Sequence, residues 1–257
     1  MTVNTNQTST KHKATKIHWF RHDLRVQDNQ ALYDLCQDND CHIIGVFIFD
    51  PSWLIESNYG SKPLGTHRHA FLDQSLIELK QSLEHLNISL LCLSGPPVET
   101  MQSLLIETQA SALSVEFHAG LYERRQVEDV RSRLPNVDIQ EAYSNSLFSP
   151  KQLPFSVDDM PNVFSPFRRK IEKGFEVRPI CQPIVKRDSL ATLNLTQYEN
   201  YTPVQRDMAN GYHGGQSEAI KRIDDYFFDS HGIASYKETR NGLDGWDFSS
   251  RLSAFLA

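Results

Sequence analysis

The stretch IIGVFIF, residues 43–49, is an almost uninterrupted apolar run followed directly by Asp50 and Pro51. A short apolar run bounded by turn formers is typical of a strand that is covered on both faces of a sheet. Similar runs recur along the first half of the chain. They predict strands at Ile17–Phe20, His42–Phe49, Leu90–Leu93, Leu113–His118 and Val137–Ala142.

Segments with helical periodicity separate these runs. In Thr66–Leu86 the leucines recur at steps of four and three, which places them on one side of a helix. Thr100–Gln109 and Arg124–Leu134 have the same character. Strands that alternate with helices imply parallel strands joined by right-handed crossovers. We therefore predict that residues 16–145 form a doubly wound, Rossmann-like α/β domain with five parallel strands.

The texture of the sequence changes after Asn145. Prolines punctuate residues 146–210 and periodicity is weak, apart from a short basic helix predicted at Phe167–Lys173. Because so long an irregular stretch is uncommon inside a compact domain, we interpret residues 146–210 as an inter-domain linker. Residues 211–257 then read as the incomplete start of an all-α domain, and residues 1–15 as a disordered tail.

Composition limits the classes of function. The 257 residues carry 26 Lys and Arg against 32 Asp and Glu, a net charge of −6, so binding to DNA would require a local basic patch such as Arg168–Lys170. No apolar stretch is long enough to cross a bilayer, so no membrane partner is expected.

The cysteines and the N-terminus indicate the compartment. The four cysteines form no CxxC pair, which favours a reducing environment and predicts a cytoplasmic protein. The N-terminal segment lacks acidic residues, so an organelle-targeting segment is the alternative, although the expected arginines are missing.

Charged residues follow the first predicted strand, at the carboxyl edge where doubly wound sheets bind ligands. The alternative is that these arginines and aspartates pair with one another and that Asp28 or Asn29 caps a helix starting at Gln30. No GxGxxG motif follows the strand, so an ordinary dinucleotide site is unsupported. His18 and His22 have the spacing of helical metal ligands, but a strand does not bring them together, and the sequence predicts no metal site.

The stretch SSRLS, residues 249–253, suits an anion. It offers three hydroxyls and one guanidinium near the start of a predicted helix, where backbone N–H groups are also unpaired. The alternative is a serine-rich helix start that serves only as a cap.

Several longer motifs carry a family resemblance. They are WFRHDLRVQDN at 19–29, SLFSP at 146–150, LPF at 153–155, VFSPFRRKIE at 163–172, GGQSEA at 214–219, YKETRNG at 236–242 and SSRLS at 249–253. In this order they resemble the photolyase and cryptochrome family, and specifically its DASH branch, over residues 16–257.

The resemblance implies a function and a cofactor. Members of the family are blue-light flavoproteins that use FAD to repair cyclobutane pyrimidine dimers in DNA, in the DASH branch mainly single-stranded DNA. It also implies contacts to the FAD pyrophosphate and ribityl chain from Tyr236, Ser249, Ser250, Arg251, Leu252 and Ser253.

Two departures from the family pattern limit these implications. The helical domain that would surround the flavin and supply the repair chemistry is not represented up to Ala257, so the chain alone is expected to bind FAD weakly or not at all, and no catalytic residue is assigned. In the loop His118–Glu123, Ala119 and Gly120 stand where relatives often place a carboxylate for methenyltetrahydrofolate, which weakens the case for folate. The alternative function is a non-catalytic antenna-like α/β module, or a truncated gene product, that binds a nucleotide, folate or protein partner.

Overall fold

The computed structural model describes residues 13–173, 177–188, 190, 196–206, 211–242, 245 and 248–255. The predicted disordered tail lies outside these residues except for its last three positions. No helix of the described residues has the length and apolar character needed to span a membrane.

A five-stranded, all-parallel sheet forms the centre of the first domain. Its strands are β1 (Ala14–Phe20), β2 (Cys41–Phe49), β3 (Ser89–Ser94), β4 (Ala112–Glu116) and β5 (Asp138–Ala142). They lie in the order β3-β2-β1-β4-β5. The predicted doubly wound α/β fold is therefore confirmed.

Helices connect the strands and continue beyond them. They are α1 (Gln30–Cys36), α2 (Thr66–His85), α3 (Pro97–Glu107), α4 (Leu121–Arg133), α5 (Phe164–Glu172), α6 (Gln216–Ile223) and α7 (Tyr236–Thr239). A π-helical segment, Asp224–Asp229, extends α6, and short 3-10 helices occupy Pro51–Leu54, Pro150–Gln152, Gly232–Ser235 and Leu252–Phe255. α3 starts earlier than its periodicity predicts, because a proline in the first turn loses no intrahelical hydrogen bond.

The two faces of the sheet bury separate apolar layers. One layer contains Ile17, Val46 and Val115 and is covered by α3 and α4. The other contains Phe20 and Ile43 and is covered by α1 and α2. Successive residues of each strand point to opposite faces, so strands that are apolar throughout can serve both layers.

Gly45 allows the closest approach between β2 and the second layer. A Cβ at this position would stand 2.8 Å from Cε2 of Phe20 and 3.3 Å from methyl carbons of Leu83 and Leu90. Glycine at the centre of a buried strand lets the Phe20 ring pack directly on the backbone.

The segment after α5 is attached to the first domain through Arg187, whose guanidinium is buried. It donates to the carbonyl oxygens of Cys36 at 3.0 Å, Asp38 at 2.7 Å and Cys41 at 2.8 Å. Its backbone N–H also donates to the carbonyl of Leu86. Arg187 thus holds residues 177–188 against the turn between α1 and β2.

Residues 196–206 lie along the outer edge of β3. Asn200 forms an antiparallel bridge with Leu93, and the Tyr201 ring stacks on Phe49 with centroids 4.3 Å apart and planes 2° apart. The hydroxyl of Tyr201 and the guanidinium of Arg206 both bind the carboxylate of Asp73, which is fully buried in α2. The segment that the sequence marks as a linker therefore contributes side chains to the core.

The C-terminal segment is docked on α2. Gly214 N–H donates to Oε1 of Gln74 at 2.7 Å, and Ser217 binds Glu78 through both its N–H and its hydroxyl. The rings of Phe71 and Phe255 are 5.2 Å apart. A Cβ on Gly214 would stand 2.1 Å from the carbonyl oxygen of Phe71, so glycine is required for this approach.

Replacing Arg187 with Ala is expected to lower the free energy of unfolding by about 2–4 kcal/mol, because three carbonyl groups lose a charged donor inside the protein. Urea denaturation measures the change. Lys186→Ala is the matched control, since Lys186 is exposed and adjacent, and should change the value by less than about 0.5 kcal/mol. Equal effects of the two substitutions would contradict the role of Arg187.

Thiol labelling tests the packing independently. Burial raises the pKa of Cys36 and of Cys92 to about 12 each. Burial and Asp28 also raise the pKa of Cys181, but this thiol lies nearer the surface. Because the thiolate is the reactive form, native protein at pH 8 should be alkylated at Cys181 roughly tenfold or more faster than at Cys36 or Cys92. Peptide mapping by mass spectrometry gives the rates. Labelling of all three thiols at one rate would show that Cys36 and Cys92 are not protected by packing.

Candidate functional site

The strand order creates a crevice at the carboxyl ends of β1 and β4. From β1 the chain builds the sheet outward through β2 and β3, and later on the opposite side through β4 and β5. The connections leaving β1 and β4 therefore diverge, which is where doubly wound sheets bind ligands. Residues 21–29 and 117–120 are the two loops that line this switch point.

A buried carboxylate organises the first of these loops. Asp23 is fully buried, and its Oδ2 is 3.0 Å from Nε2 of His18 and 2.9 Å from Nδ2 of Asn29, while the N–H of Arg21 donates to its Oδ1. Burial alone would raise the pKa of Asp23, but the hydrogen bonds and charge of His18, with those of Arg21 and Asn29, hold that pKa well below its usual range. The loop is thus folded around an ionised group.

The charged residues after β1 bind groups of other elements, whereas the alternative interpretation predicted that they pair with one another. Arg21 donates to the carbonyl oxygens of Glu116 at 2.7 Å and Glu123 at 2.9 Å. Asn29, rather than Asp28, caps α1 by accepting from Leu32 N–H. Asp28 instead binds Arg178 of the linker at 2.8 Å.

His22, His118 and Glu123 come together at the mouth of the crevice. Nε2 of His22 is 3.0 Å from Oε1 of Glu123, Nδ1 of His118 is 3.4 Å from Oε2, and the two imidazole rings stack with centroids 4.4 Å apart. Burial and the neighbouring His22 lower the pKa of His118. The other histidine considered from the sequence, His18, points into the core toward Asp23 and Ser114 and does not join this cluster.

Gly120 makes room for the Glu123 carboxylate. A Cβ on Gly120 would stand 2.2 Å from Oε2 of Glu123 and 2.8 Å from Nδ1 of His118. The Glu123 side chain therefore lies over Gly120 at the mouth of the crevice.

A second candidate site is an open cleft of about 410 Å³ in the C-terminal segment. Its lining includes the cationic side chains Lys221, Arg222 and Arg251 together with His213 and Tyr212, and the acidic side chains Glu218 and Asp225. Lys221 pairs with Glu218 and Arg222 with Asp225, so the two carboxylates offset part of the positive charge with which the lining could bind an anion.

Arg222 binds the backbone of the serine run, residues 249–253, beside this cleft. It donates to the carbonyl oxygens of Ser249 at 3.0 Å and Ser250 at 2.9 Å. Arg251 follows with φ +60, in the left-handed region, and the 3-10 helix Leu252–Phe255 begins directly after it, within the run. The Arg251 guanidinium lies over the Phe248 ring at 4.4 Å and donates to the Tyr212 hydroxyl at 3.3 Å.

The residues predicted to contact FAD are only partly assembled. Arg251 lines the cleft, and four of the other predicted residues flank it in sequence: Ser249, Ser250, Leu252 and Ser253. Tyr236 begins α7 with 42% of its surface exposed and does not belong to the described lining of the cleft.

The comparisons with known proteins agree with the motifs. The family model described as DNA photolyase matches residues 16–206. The chain belongs to the DNA photolyase family. The predicted resemblance to its DASH branch is confirmed by curated relatives named Cryptochrome DASH, with 34% identity over 246 residues in Idiomarina loihiensis and 32% over 252 residues in Natronomonas pharaonis.

The solved structures show the same photolyase architecture. The crystal structure of a Synechocystis cryptochrome matches with a TM-score of 0.87 and 27% identity, covering 96% of this chain and 53% of that one. The two curated relatives are covered over 52% and 53% of their length, against 93% and 95% of this chain. The chain therefore spans about half the length of the relatives it matches and corresponds to the N-terminal part of a DASH cryptochrome.

Three contacts of the candidate sites were not predicted from the sequence. Arg222 donates to Ser250 across 28 positions of chain, Arg251 donates to Tyr212 across 39, and His22 meets Glu123 across 101. A basic residue in the last turn of α6 was the only local signal for Arg222. The His22 cluster had no local signal, since its members follow different strands.

Replacing Arg222 with Ala should release the serine run. Two carbonyls then lose a charged donor, and we expect amide hydrogen exchange at 249–255 to accelerate by roughly tenfold or more, which corresponds to about 1.5 kcal/mol of local stability. Exchange followed by mass spectrometry is the measurement. Lys221→Ala, next to it on α6 and directed to Glu218, is the control and should leave this exchange unchanged.

Proposed function

We propose that the intact protein is a blue-light flavoprotein of the DASH type that binds FAD and repairs cyclobutane pyrimidine dimers in DNA, mainly single-stranded DNA. The observation that carries the proposal is the cleft in the C-terminal segment, because its lining includes Glu218 of the GGQSEA motif and Arg251 of the SSRLS run. Family membership supports it, and the crystal structure of an archaeal photolyase from Sulfolobus tokodaii contains two FAD molecules.

The lining of the cleft fits the phosphate side of FAD. Arg251 offers a guanidinium group, which can bind phosphate through paired hydrogen bonds. Arg222 donates to the carbonyls of Ser249 and Ser250 and to Asp225, and Lys221 pairs with Glu218, so these two cations support the wall of the cleft. Ser249, Ser250 and Ser253 add hydroxyls nearby, and Leu252 and Tyr236 are proposed to complete the contacts to the pyrophosphate and ribityl chain. When bound, FAD in its reduced form supplies the light-driven electron that splits the dimer.

The role of these residues is to bind and orient the cofactor. Arg222 fixes the backbone of Ser249 and Ser250, and the stacked Phe248 ring limits where the Arg251 guanidinium can point. Positioning of this kind lowers the entropic cost of holding a phosphate in one geometry. No residue of this chain is assigned to the repair chemistry itself.

We expect the 257-residue chain alone to bind FAD weakly or not at all. The cleft is open and of about 410 Å³, whereas tight sites bury roughly 70–90% of their ligand. The absorption spectrum after gel filtration with added FAD tests this. A stoichiometric flavin band that survives the column would show that the described residues suffice.

Arg251 can be tested in a chimera that continues this chain with the helical half of a DASH relative. Loss of a charged hydrogen bond to phosphate costs about 1.5–3 kcal/mol, so Arg251→Ala should weaken FAD binding by roughly ten- to a hundredfold. Arg251→Lys should lose less, because charge is kept while the planar fork is not. Fluorescence titration gives the dissociation constants.

The control for this series is Arg125→Ala, which removes an exposed cation from α4, and it should bind FAD as the unchanged chimera does. Equal affinities of Arg251→Ala and the unchanged chimera would refute the phosphate role of Arg251. The repair activity itself is tested by illuminating the chimera with a dimer-containing oligonucleotide; a chimera that holds reduced FAD but restores no dimers would refute the proposed activity.

We further propose a cytoplasmic location, which the four free cysteines support because a reducing compartment keeps thiols unpaired.

A further inference from the structure

We propose that Glu78 of α2 and Gln216 at the start of α6 are positioning residues that set where Arg222 and Arg251 stand in the C-terminal cleft. Neither residue belongs to the described lining of that cleft. Together they attach the first turn of α6 to the α/β domain. The consequence for FAD rests on the proposed function of the cleft, whereas the positioning of its wall is a property of this chain alone.

One wall of the cleft is carried by α6. Lys221 and Arg222 lie in its last turn, and Arg222 donates to the carbonyl oxygens of Ser249 and Ser250. The helix has eight residues, none of them buried, so packing in the core does not hold it in place. A helix of this length is also too short to be stable by itself in water. The position of the wall, and of the serine run that Arg222 binds, therefore depends on the attachments of α6 to its neighbours.

Glu78 binds the first turn of α6. Its Oε1 accepts from the backbone N–H of Ser217 and its Oε2 from the Ser217 hydroxyl, both at 2.8 Å. The first N–H groups of a helix have no partner within the helix, and the helix dipole favours a negative charge beside them. Gly215 precedes the helix and has no side chain that could cap it. Glu78 therefore supplies from α2 the cap that α6 lacks in its own sequence.

Gln216 attaches the same turn to a different part of the α/β domain. Its Oε1 accepts from the backbone N–H groups of Val26 at 3.1 Å and Gln27 at 3.2 Å. These two residues belong to the loop 21–29, which is folded around a buried carboxylate. Two attachments at adjacent residues, one to α2 and one to this loop, fix the rotation of α6 about its axis as well as its place. A rotated helix would carry Arg222 away from the serine run.

The first four residues of the GGQSEA motif all serve this attachment. Gly214 and Gly215 let the chain approach α2 closely, since a Cβ at either position would stand 2.1 Å from an oxygen of α2. Gln216 and Ser217 then form the hydrogen bonds. None of the four is among the residues to which FAD contacts are assigned. This part of the motif is therefore explained by positioning of the cleft wall.

Hydrogen exchange of the 257-residue chain tests the positioning without any flavin. In Glu78→Ala and in Gln216→Leu we expect amide exchange at 249–255 to accelerate roughly fivefold or more, because α6 loses its cap or its hold on the loop. Exchange in β1 and β4 should stay unchanged in both variants. A general loss of stability would accelerate exchange in these strands as well.

Gln216→Glu is the rescue variant, because it keeps an oxygen that accepts from the two loop N–H groups, and it should exchange as the unchanged chain does. Glu84→Ala and Gln81→Leu are the matched controls, since both remove exposed side chains from α2. They should leave exchange at 249–255 unchanged. Circular dichroism confirms that each variant is folded.

The same variants in the chimera with the helical half of a DASH relative measure the consequence for FAD. We expect the dissociation constant to rise roughly three- to tenfold in Glu78→Ala and Gln216→Leu, and to stay within about twofold in Gln216→Glu. The proposal is overturned if exchange at 249–255 in the two folded variants matches that of the unchanged chain, or if their FAD dissociation constants do not rise. An unchanged chimera that binds no FAD would instead refute the proposed function, and the exchange result would still decide the positioning of the cleft wall.

Discussion

The buried carboxylate of Asp23 is the interaction on which the functional surface depends. It binds a strand residue, His18, a loop N–H, that of Arg21, and the helix cap Asn29, so the end of β1 and the start of α1 share one anion. A charge removed from water requires compensation, and here the path of the backbone from β1 to Asn29 supplies it. That path sends Arg21 and His22 outward to the crevice, where the second loop brings His118 and Glu123.

Much of the fold could be predicted because its signals are local. Each apolar run correctly predicted a strand. The alternation of strands with helices predicted the parallel sheet, because the crossover connections of βαβ units are almost always right-handed. The ends were less certain: β4 stops at Glu116 although apolar character continues into Phe117. Local propensity cannot tell where pairing with a neighbouring strand ceases.

The sites were harder to predict, for a physical reason. The SSRLS run was recognisable because its groups are contiguous in sequence. The conformation of its backbone, however, depends on hydrogen bonds from Arg222, which lies 28 positions before Ser250. Arg187 and Tyr201 lie in a stretch without hydrophobic periodicity, so no pattern in the sequence predicts that their side chains pack in the interior. Contacts between distant loops are set by the completed sheet, so they become visible only with the structure.

The bridge between Asn200 and Leu93 has a further consequence, for association between molecules. An edge strand with unpaired N–H and C=O groups is a template on which another chain can add a strand. Glu199 and Tyr201 occupy such groups on Ser94 and Cys92, and on the opposite edge β5 presents Asp138 and Glu141. Both borders of the sheet are thus blocked, one by the protein's own backbone and the other by charge, and the apolar strands between them are kept from polymerising.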